Sequence, residues 1–389
     1  MIPRVTKAEF REFFESDRPA IVVDVVKDWP ACKSWSPEYL SAKLRGKAVG
    51  VTLSGDGNFS YRQSQDVRSA IGYSVAKMPF EDAVSLVNRP ERGRYAYIQQ
   101  CALDDLPEIA GDLGTPEWIP TRPGAALWFG SRTVTPLHYD HVKNLYAQIT
   151  GTKEFTIFSP RDLPHLYPFP MSAAMNHISH VDPDAVDYAK FPRYRLANPI
   201  RFTIQPGELL FLPAFWWHHV RARGLAISVS YWWEAELGDY LNSPNSMRDF
   251  YPRYANDRLR GTKRDSLDPI GLSLADAAAT LLGANHRWGA SLMAVAAFDE
   301  FVNALRDTAG VPNTPGCPLA NIGPDIDRSR ALLVERNALR PEQVAIANHI
   351  VAMAHELNQG NEVDVPLDAT RWLVDAVQRL PARAAAVLS

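Results

Sequence analysis

Three residues in two short runs have the types and spacing to hold a transition metal. His138-Tyr139-Asp140 reads as a strand. Side chains alternate between the two faces of a strand, so His138 and Asp140 point the same way. A second imidazole comes from His218, in the run Trp216-Trp217-His218-His219. Two imidazoles and one carboxylate on one side of a metal leave the opposite positions open, the 2-His-1-carboxylate arrangement of non-haem Fe(II) oxygenases. His-x-Asp is a weak signal alone, and its surroundings strengthen it: Thr135-Pro136 before it, Asn144 after it, then Gln148-Ile149-x-Gly151-x-Lys153. Lys153 shares strand parity with Phe155 and Ile157. If that face is interior, the ammonium needs an anion. If it is the outer face, Lys153 is simply solvated, and the pattern leaves both readings open.

A later run carries a related signal. Ala226, Ser228, Ser230 and Trp232 share one strand face, while Leu225, Ile227, Val229 and Tyr231 share the other. The small, partly polar face leaves volume for a ligand; an ordinary strand with one solvated side reads the same way.

The elements that must position these residues follow from periodicity. Thr6 and Glu9 form a capping-box pattern before the apolar face Phe10, Phe13 and Phe14. Ala20 to Val26 reads as a strand, Ser36-Pro37 opens a second helix, and Tyr95 to Gln100 is another strand. Residues 121–234 are strand-rich. Leu145 to Ile149 and Lys153 to Phe158 flank Thr150-Gly151-Thr152, which predicts a hairpin. Gly207 to Leu212 and Leu225 to Trp233 are further strands, and the Pro- and Tyr-rich stretch Pro160 to Pro206 reads as a long surface excursion. Many short strands with Gly/Pro turns point to a sandwich or barrel. After Glu234 the pattern turns helical: Val295, Phe298, Val302 and Leu305; Val344, Ala347, Val351 and Ala354, behind a start at Arg340-Pro341-Glu342; and Leu367 to Leu380. A Pro/Gly-rich loop from Gly310 to Pro324 separates two of these helices.

Composition narrows the class. The chain has 389 residues, 46% of them hydrophobic, with a net charge of −3, so no global field draws it to nucleic acid or to an anionic membrane. Cys32, Cys101 and Cys317 are odd in number and far apart, as in a reducing compartment. Charged residues interrupt any N-terminal apolar run, and no stretch reaches the ~18–20 apolar residues of a membrane helix. A cytoplasmic protein is expected.

The run Thr135-Pro136-Leu137-His138-Tyr139-Asp140, with Asn144, Ala147-Gln148-Ile149, Gly151 and Lys153, resembles the JmjC/cupin-like 2-oxoglutarate oxygenases, and among them the hypoxia-factor asparaginyl hydroxylase type. Leu166-Tyr167-Pro168-Phe169-Pro170, Asp187-Tyr188, Phe191-Pro192 and Pro206-Gly207-Glu208 through His219 extend the resemblance to roughly residues 15–234. It implies a mainly β fold with α elements: a double-stranded β-helix, or jelly roll, with N-terminal α/β elements and a C-terminal helical appendage. Residues 1–240 would form the catalytic domain and 241–389 the helical region. Carried over by position, His138, Asp140 and His218 would bind Fe(II). Lys153 would hold the distal carboxylate of 2-oxoglutarate, helped by Thr135 and Tyr97. Asn144 would lie near that cosubstrate, Trp232 would wall the pocket, and Gln99 would face a peptide substrate. Ser230 stands where the relative has asparagine, and its shorter side chain puts direct contact with the cosubstrate in question.

The resemblance thus implies an Fe(II)- and 2-oxoglutarate-dependent dioxygenase that uses O2 to hydroxylate a C–H bond, with a protein or peptide side chain favoured as substrate. RNA and small-molecule substrates are the alternatives, as are a zinc hydrolase and a non-catalytic metal-binding module. His219, of opposite parity to His218, reads as a packing residue. His141 reads as a neighbour of the site or a surface residue. His165, His177 and His180 read as solvated or lining a substrate entrance, and His286, His349 and His355 as structural. The basic stretch Arg248 to Arg264 is interspersed with Asp249 and Asp257, and reads as a solvated face rather than an RNA contact. The apolar stripes of the helical region point to a homodimer, with an intramolecular bundle as the alternative.

Overall fold

The computed structural model describes residues 1–236 apart from 65, 90–92, 120–122 and 171–172, and beyond them 273–283, 286–308 and 367–379 with a few isolated positions. The chain divides into two compact units: Met1–Phe169 with Ala173–Glu236, and Pro170–Ser172 with Leu237–Ser389.

Among the described residues the first unit has thirteen strands. In chain order these are β1 (Arg4–Val5), β2 (Ala20–Val22), β3 (Ala48–Ser54), β4 (Ser74–Pro79), β5 (Tyr95–Ala102), β6 (Gly124–Ser131) and β7 (Val134–Tyr139). They continue with β8 (Val142–Thr150), β9 (Lys153–Phe158), β10 (Ile200–Ile204), β11 (Leu209–Leu212), β12 (Trp217–Arg221) and β13 (Leu225–Glu234). Nine of them form one sheet, in the order β1-β2-β11-β8-β13-β6-β5-β3-β4, and four form a second, β10-β9-β12-β7. Phe155, Ile157 and Ile204 of the small sheet pack with Tyr146, Leu210 and Leu212 of the large one, so the two sheets close on a shared interior. The architecture is the mainly β jelly roll expected, with helices on the outside.

The central strands of the large sheet, β8, β11 and β13, are buried on both faces. Leu145, Ala147 and Ile149 of β8, Leu209 and Phe211 of β11, and Ile227, Val229 and Tyr231 of β13 form one core with Phe10, Leu40, Val84 and Ile109 from the N-terminal helical segments. This is why β8 and β11 read as near-continuous apolar runs instead of alternating ones. The helix Lys7–Glu15 that supplies Phe10 starts as its sequence indicates: the Thr6 amide and hydroxyl both donate to Glu9 Oε2 at 2.8 Å. The helix Pro37–Lys43 is capped by Ser36, whose hydroxyl accepts from the Tyr39 amide at 3.2 Å.

The structure departs from the sequence reading in several places. The strand read over Ala20 to Val26 stops at Val22, and the surface excursion ends in β10, whose register puts Ile204 opposite Lys153. The predicted hairpin at Thr150-Gly151-Thr152 is absent. Both edges of β8 are taken, by β11 and β13, so β9 cannot pair with it and instead joins β10 and β12 in the other sheet. The turn is a crossing between sheets. Gly151 there has φ of 67°, and Gln148 Nε2 donates to the carbonyls of Thr150 and Gly151.

In the second unit, the helices Leu274–Gly283, Arg287–Thr308 and Leu367–Gln378 pack on one another. They bury Leu281, Met293, Phe298, Leu373 and Val377, and the hydroxyls of Ser291 and Thr370 meet at 3.2 Å. The last helix matches the sequence reading to within two residues. The loop at 310–324, the helix read from Arg340, the basic stretch 248–264, Cys317, His349 and His355 lie outside the described residues.

Candidate metal centre and cosubstrate cavity

β7 and β12 run antiparallel, with His138 and His218 as direct cross-strand partners. That register brings their rings to 4.1 Å between centroids. Asp140 follows immediately after β7, where its carbonyl accepts from the Phe215 amide at 2.8 Å and is tied to the loop entering β12. Its carboxylate oxygens lie 3.8 Å from His138 Nε2 and 3.7 Å from His218 Nε2. One ligand atom from each of the three residues falls within 4.8 Å of the others.

Both rings are oriented from behind. His138 Nδ1 lies 2.8 Å from the Pro136 carbonyl, and His218 Nδ1 lies 3.0 Å from the Trp216 carbonyl. A carbonyl only accepts, so each Nδ1 carries the hydrogen and each Nε2 presents a lone pair to the shared space. Burial, and then the neighbouring His138, push the His218 imidazole down to about 4, which keeps it neutral as a metal ligand must be. Burial opposes the charge on Asp140, but His138, His218, His177 and His141 outweigh it and hold the carboxyl below its usual range. The donor set fits a divalent transition metal with one face open.

Beside the triad lies a cavity between the two sheets. Tyr97, Thr135, Asn144, Lys153, Ser230 and Trp232 all line it, so the structure brings together every cosubstrate residue named from sequence. Lys153 is only 2% exposed, which settles its parity as interior. Its ammonium donates to the Tyr97 phenol and the Ser228 hydroxyl, each at 3.2 Å, and sits 5.3–5.8 Å from the ring centroids of Tyr146, Tyr97 and Trp128. Among the described residues no carboxylate pairs with it. Burial therefore pushes the lysine down to about 7. Asn144 Oδ1 and Trp232 Nε1 are also buried without a hydrogen-bond partner. A cation with no counter-ion and two unsatisfied polar groups lining one cavity fit a polar, anionic occupant.

Gln99 is not among the lining residues; Gln100 is. The β5–β6 register shifts between Ile98 and Cys101, and Gln100 has φ of 52°, so strand parity breaks at this point. Ser230 accepts a hydrogen bond from Trp128 Nε1 at 3.0 Å, which leaves its own hydroxyl hydrogen available. Sequence reasoning missed Trp128 and Tyr146. Tyr146 shares parity with Asn144 on β8 and could have been found from it. Trp128 pairs with Ser228 across β6 and β13, a register that no local pattern announces.

His219 faces away from the triad. It is 3% exposed, and its Nε2 contacts Asp184 Oδ2 at 2.9 Å. Asp182, Asp184 and His219 also bring ligand atoms within 4.8 Å of one another, but the Arg221 guanidinium already pairs with Asp184, which marks a structural ion-pair network. His177 and His141 lie near the triad, with centroids 6.4 Å between His138 and His177 and 6.0 Å between His141 and His177. His180 packs against Phe169, and His286 is buried in the helical unit.

This fold and site define the class. A family model described as a cupin-like domain matches residues 6–239, more than half of the chain, and the chain belongs to that family. Its relatives are JmjC proteins, in keeping with the resemblance carried by residues 135–153. "Lysine-specific demethylase 8" of Xenopus tropicalis is 30% identical over 58% of this chain and 50% of its own length. The human "Bifunctional peptidase and (3S)-lysyl hydroxylase JMJD7" is 28% identical over 58% of this chain and 80% of its own length. "Jumonji C domain-containing protein 5" of Drosophila melanogaster is 27% identical over 60% of each. The chain thus spans about half the length of the Xenopus relative. Among the described residues, no helix is long and apolar enough to cross a membrane.

Proposed function

We propose that this chain is an Fe(II)- and 2-oxoglutarate-dependent oxygenase that hydroxylates a C–H bond of a protein or peptide side chain. The observation that carries the reading is the pairing of two features in one cavity: the His138/Asp140/His218 triad, and the buried Lys153 ammonium with no carboxylate partner. A dicarboxylate that reaches the metal at one end and Lys153 at the other satisfies both. A hydrolytic zinc site would use the same triad but leave Lys153 unexplained.

In this reading His138, Asp140 and His218 hold the iron, which when bound couples oxidative decarboxylation of 2-oxoglutarate to insertion of oxygen into a C–H bond. The chain's own residues do the rest. Lys153 neutralises the distal carboxylate and Tyr97 and Thr135 fix its orientation. Asn144 offers an amide beside the cosubstrate, Trp232 walls it from solvent, and Ser230 retains a hydrogen that can reach a bound carboxylate. Gln99, at the bulge of β5, is the position assigned to the substrate side. The names of the relatives, a lysine demethylase and a lysyl hydroxylase, favour a protein substrate; hydroxylation of an N-methyl carbon and of a side-chain carbon use the same chemistry.

The test is a mass-shift screen of candidate proteins and peptides with Fe(II), 2-oxoglutarate and O2. A gain of one oxygen, or loss of a methyl group as formaldehyde, is expected on a protein side chain. Modification confined to RNA or small molecules would overturn the substrate class.

A further inference from the structure

A second groove lies on the face of β7 and β12 that His219 occupies, away from the triad. Two segments cover the free edge of β7 there. The Phe59 amide donates to the Val134 carbonyl at 3.0 Å, and the Ser179 amide donates to the Leu137 carbonyl at 2.9 Å. The groove lies between these two attachments, against Pro136. Leu137, Phe169 and Ile178, all buried, give it an apolar wall.

Its polar lining is short of donors. His219 is 3% exposed, and the Asp184 carboxylate, which only accepts, takes the hydrogen of Nε2. Nδ1 of the neutral ring then carries a lone pair, and it is buried without a hydrogen-bond partner. Asn58 Oδ1, also in the lining, is buried without a partner too. Asp182 adds a carboxylate, with an oxygen within 4.8 Å of a His219 ring nitrogen. Unpaired buried acceptors are costly, and an occupant that brings donors removes the cost. The side chains that bring several donors and no acceptor are the lysine ammonium and the arginine guanidinium, and their apolar stems suit the wall of Leu137, Phe169 and Ile178. Arg62 also lines the groove but is exposed, so its own charge stays in water.

The groove borders the metal centre. Pro136 lies against it, and the Pro136 carbonyl is the group that orients His138 Nδ1 at 2.8 Å. Tyr61 lines it as well, with its phenol 2.9 Å from that of Tyr73. Burial, then Tyr73, then the nearby Asp140 carboxylate push the Tyr61 phenol up. A chain crossing the open face of the triad thus passes beside the groove. We propose that the groove is a docking subsite for one basic side chain, lysine or arginine, of the protein substrate, separate from the residue that is oxidised. This rests on the protein-substrate reading above.

A synthetic library of randomised peptides is selected on protein loaded with Mn(II) and 2-oxoglutarate without oxygen, for wild type, Asp182→Asn and Asn58→Leu. Asparagine at 182 keeps an oxygen to accept from the Asp184 amide, and Asn58 is tied into its turn through backbone groups. Wild type should enrich lysine or arginine at one position. Replacing that residue by norleucine should weaken binding by roughly 10-fold or more, the value of a charge-assisted contact. In the two variants that penalty should shrink to a few-fold, and the norleucine contrast on wild type needs no variant to fold. A penalty as large in the folded variants as in wild type places the basic residue elsewhere and overturns the subsite, as does selection without a basic residue. The selected peptides are then given Fe(II) and O2. If they bind through the groove and none gains oxygen or loses a methyl group, the protein-substrate reading fails, and the groove's role in it, while its affinity for a basic side chain stands.

Discussion

At Lys153, burial and the missing counter-ion act in the same direction, and a pH dependence follows. The free site holds the amine near 7, so above that pH it is increasingly neutral. A bound dicarboxylate favours the charged form and raises the pKa again, so binding must take up a proton above about pH 7. Affinity for 2-oxoglutarate should therefore fall as pH rises from 7 to 9, by up to ~10-fold per unit. Lys153→Met should abolish that slope and weaken binding by roughly 10- to 100-fold at neutral pH, the value of a charge-assisted contact. Calorimetry in buffers of different ionisation enthalpy reads both; wild-type affinity that is flat with pH would remove the lysine from the site. A second contrast separates the neighbouring imidazoles. His218→Ala should lose metal binding, while His219→Ala, whose side chain sits on the opposite face with Asp184, should keep it. Equal loss in both variants would refute the assignment of His218. The residues His138, Asp140 and His218 were legible from the motif and the resemblance, whereas the strand pattern left the face of Lys153 open and only the sheet packing places it inside. That Gln100 lines the cavity was not legible, since a bulge breaks strand parity there, and Trp128 enters the cavity only through a long-range register.

Among the elements, the sheet-crossing turn at Gly151 is the most demanding. A Cβ there would lie 2.0 Å from the Leu225 carbonyl oxygen, and φ is 67°. Gly151→Ala should cost about 1–3 kcal/mol by strain and force β8 and β13 apart, read as a lower denaturation midpoint. A variant as stable as wild type would mean the turn relaxes freely. The same turn shows why topology was less legible than element type. Thr150-Gly151-Thr152 carries the signal of a turn, and a turn is there. Whether its flanking strands pair depends on who occupies the edges of β8, which is decided by β11 and β13, far along the chain. β10 does carry a strand pattern, with Ile200, Phe202 and Ile204 alternating with Arg201 and Thr203, but it is short and sits inside a Pro-rich stretch that reads as a surface excursion. The capped helices at Lys7 and Pro37 were read correctly because their signals lie within four residues.

For the whole molecule, the N-terminal unit carries the candidate site complete, and the helical unit buries its own apolar core. We propose that the helical region serves self-association as a homodimer. Light scattering over a range of concentrations should give a mass near twice 43.4 kDa, and a mass fixed at the monomer value would contradict it. The central claim concerns the N-terminal unit, and succinate formation tests it most directly. Purified protein with Fe(II), O2 and 2-oxoglutarate should produce succinate, and chelation of the metal, Asp140→Ala or His218→Ala should each abolish it. If the iron-loaded wild type yields no succinate with or without candidate protein substrates, while still binding the metal at the triad, the oxygenase reading is wrong.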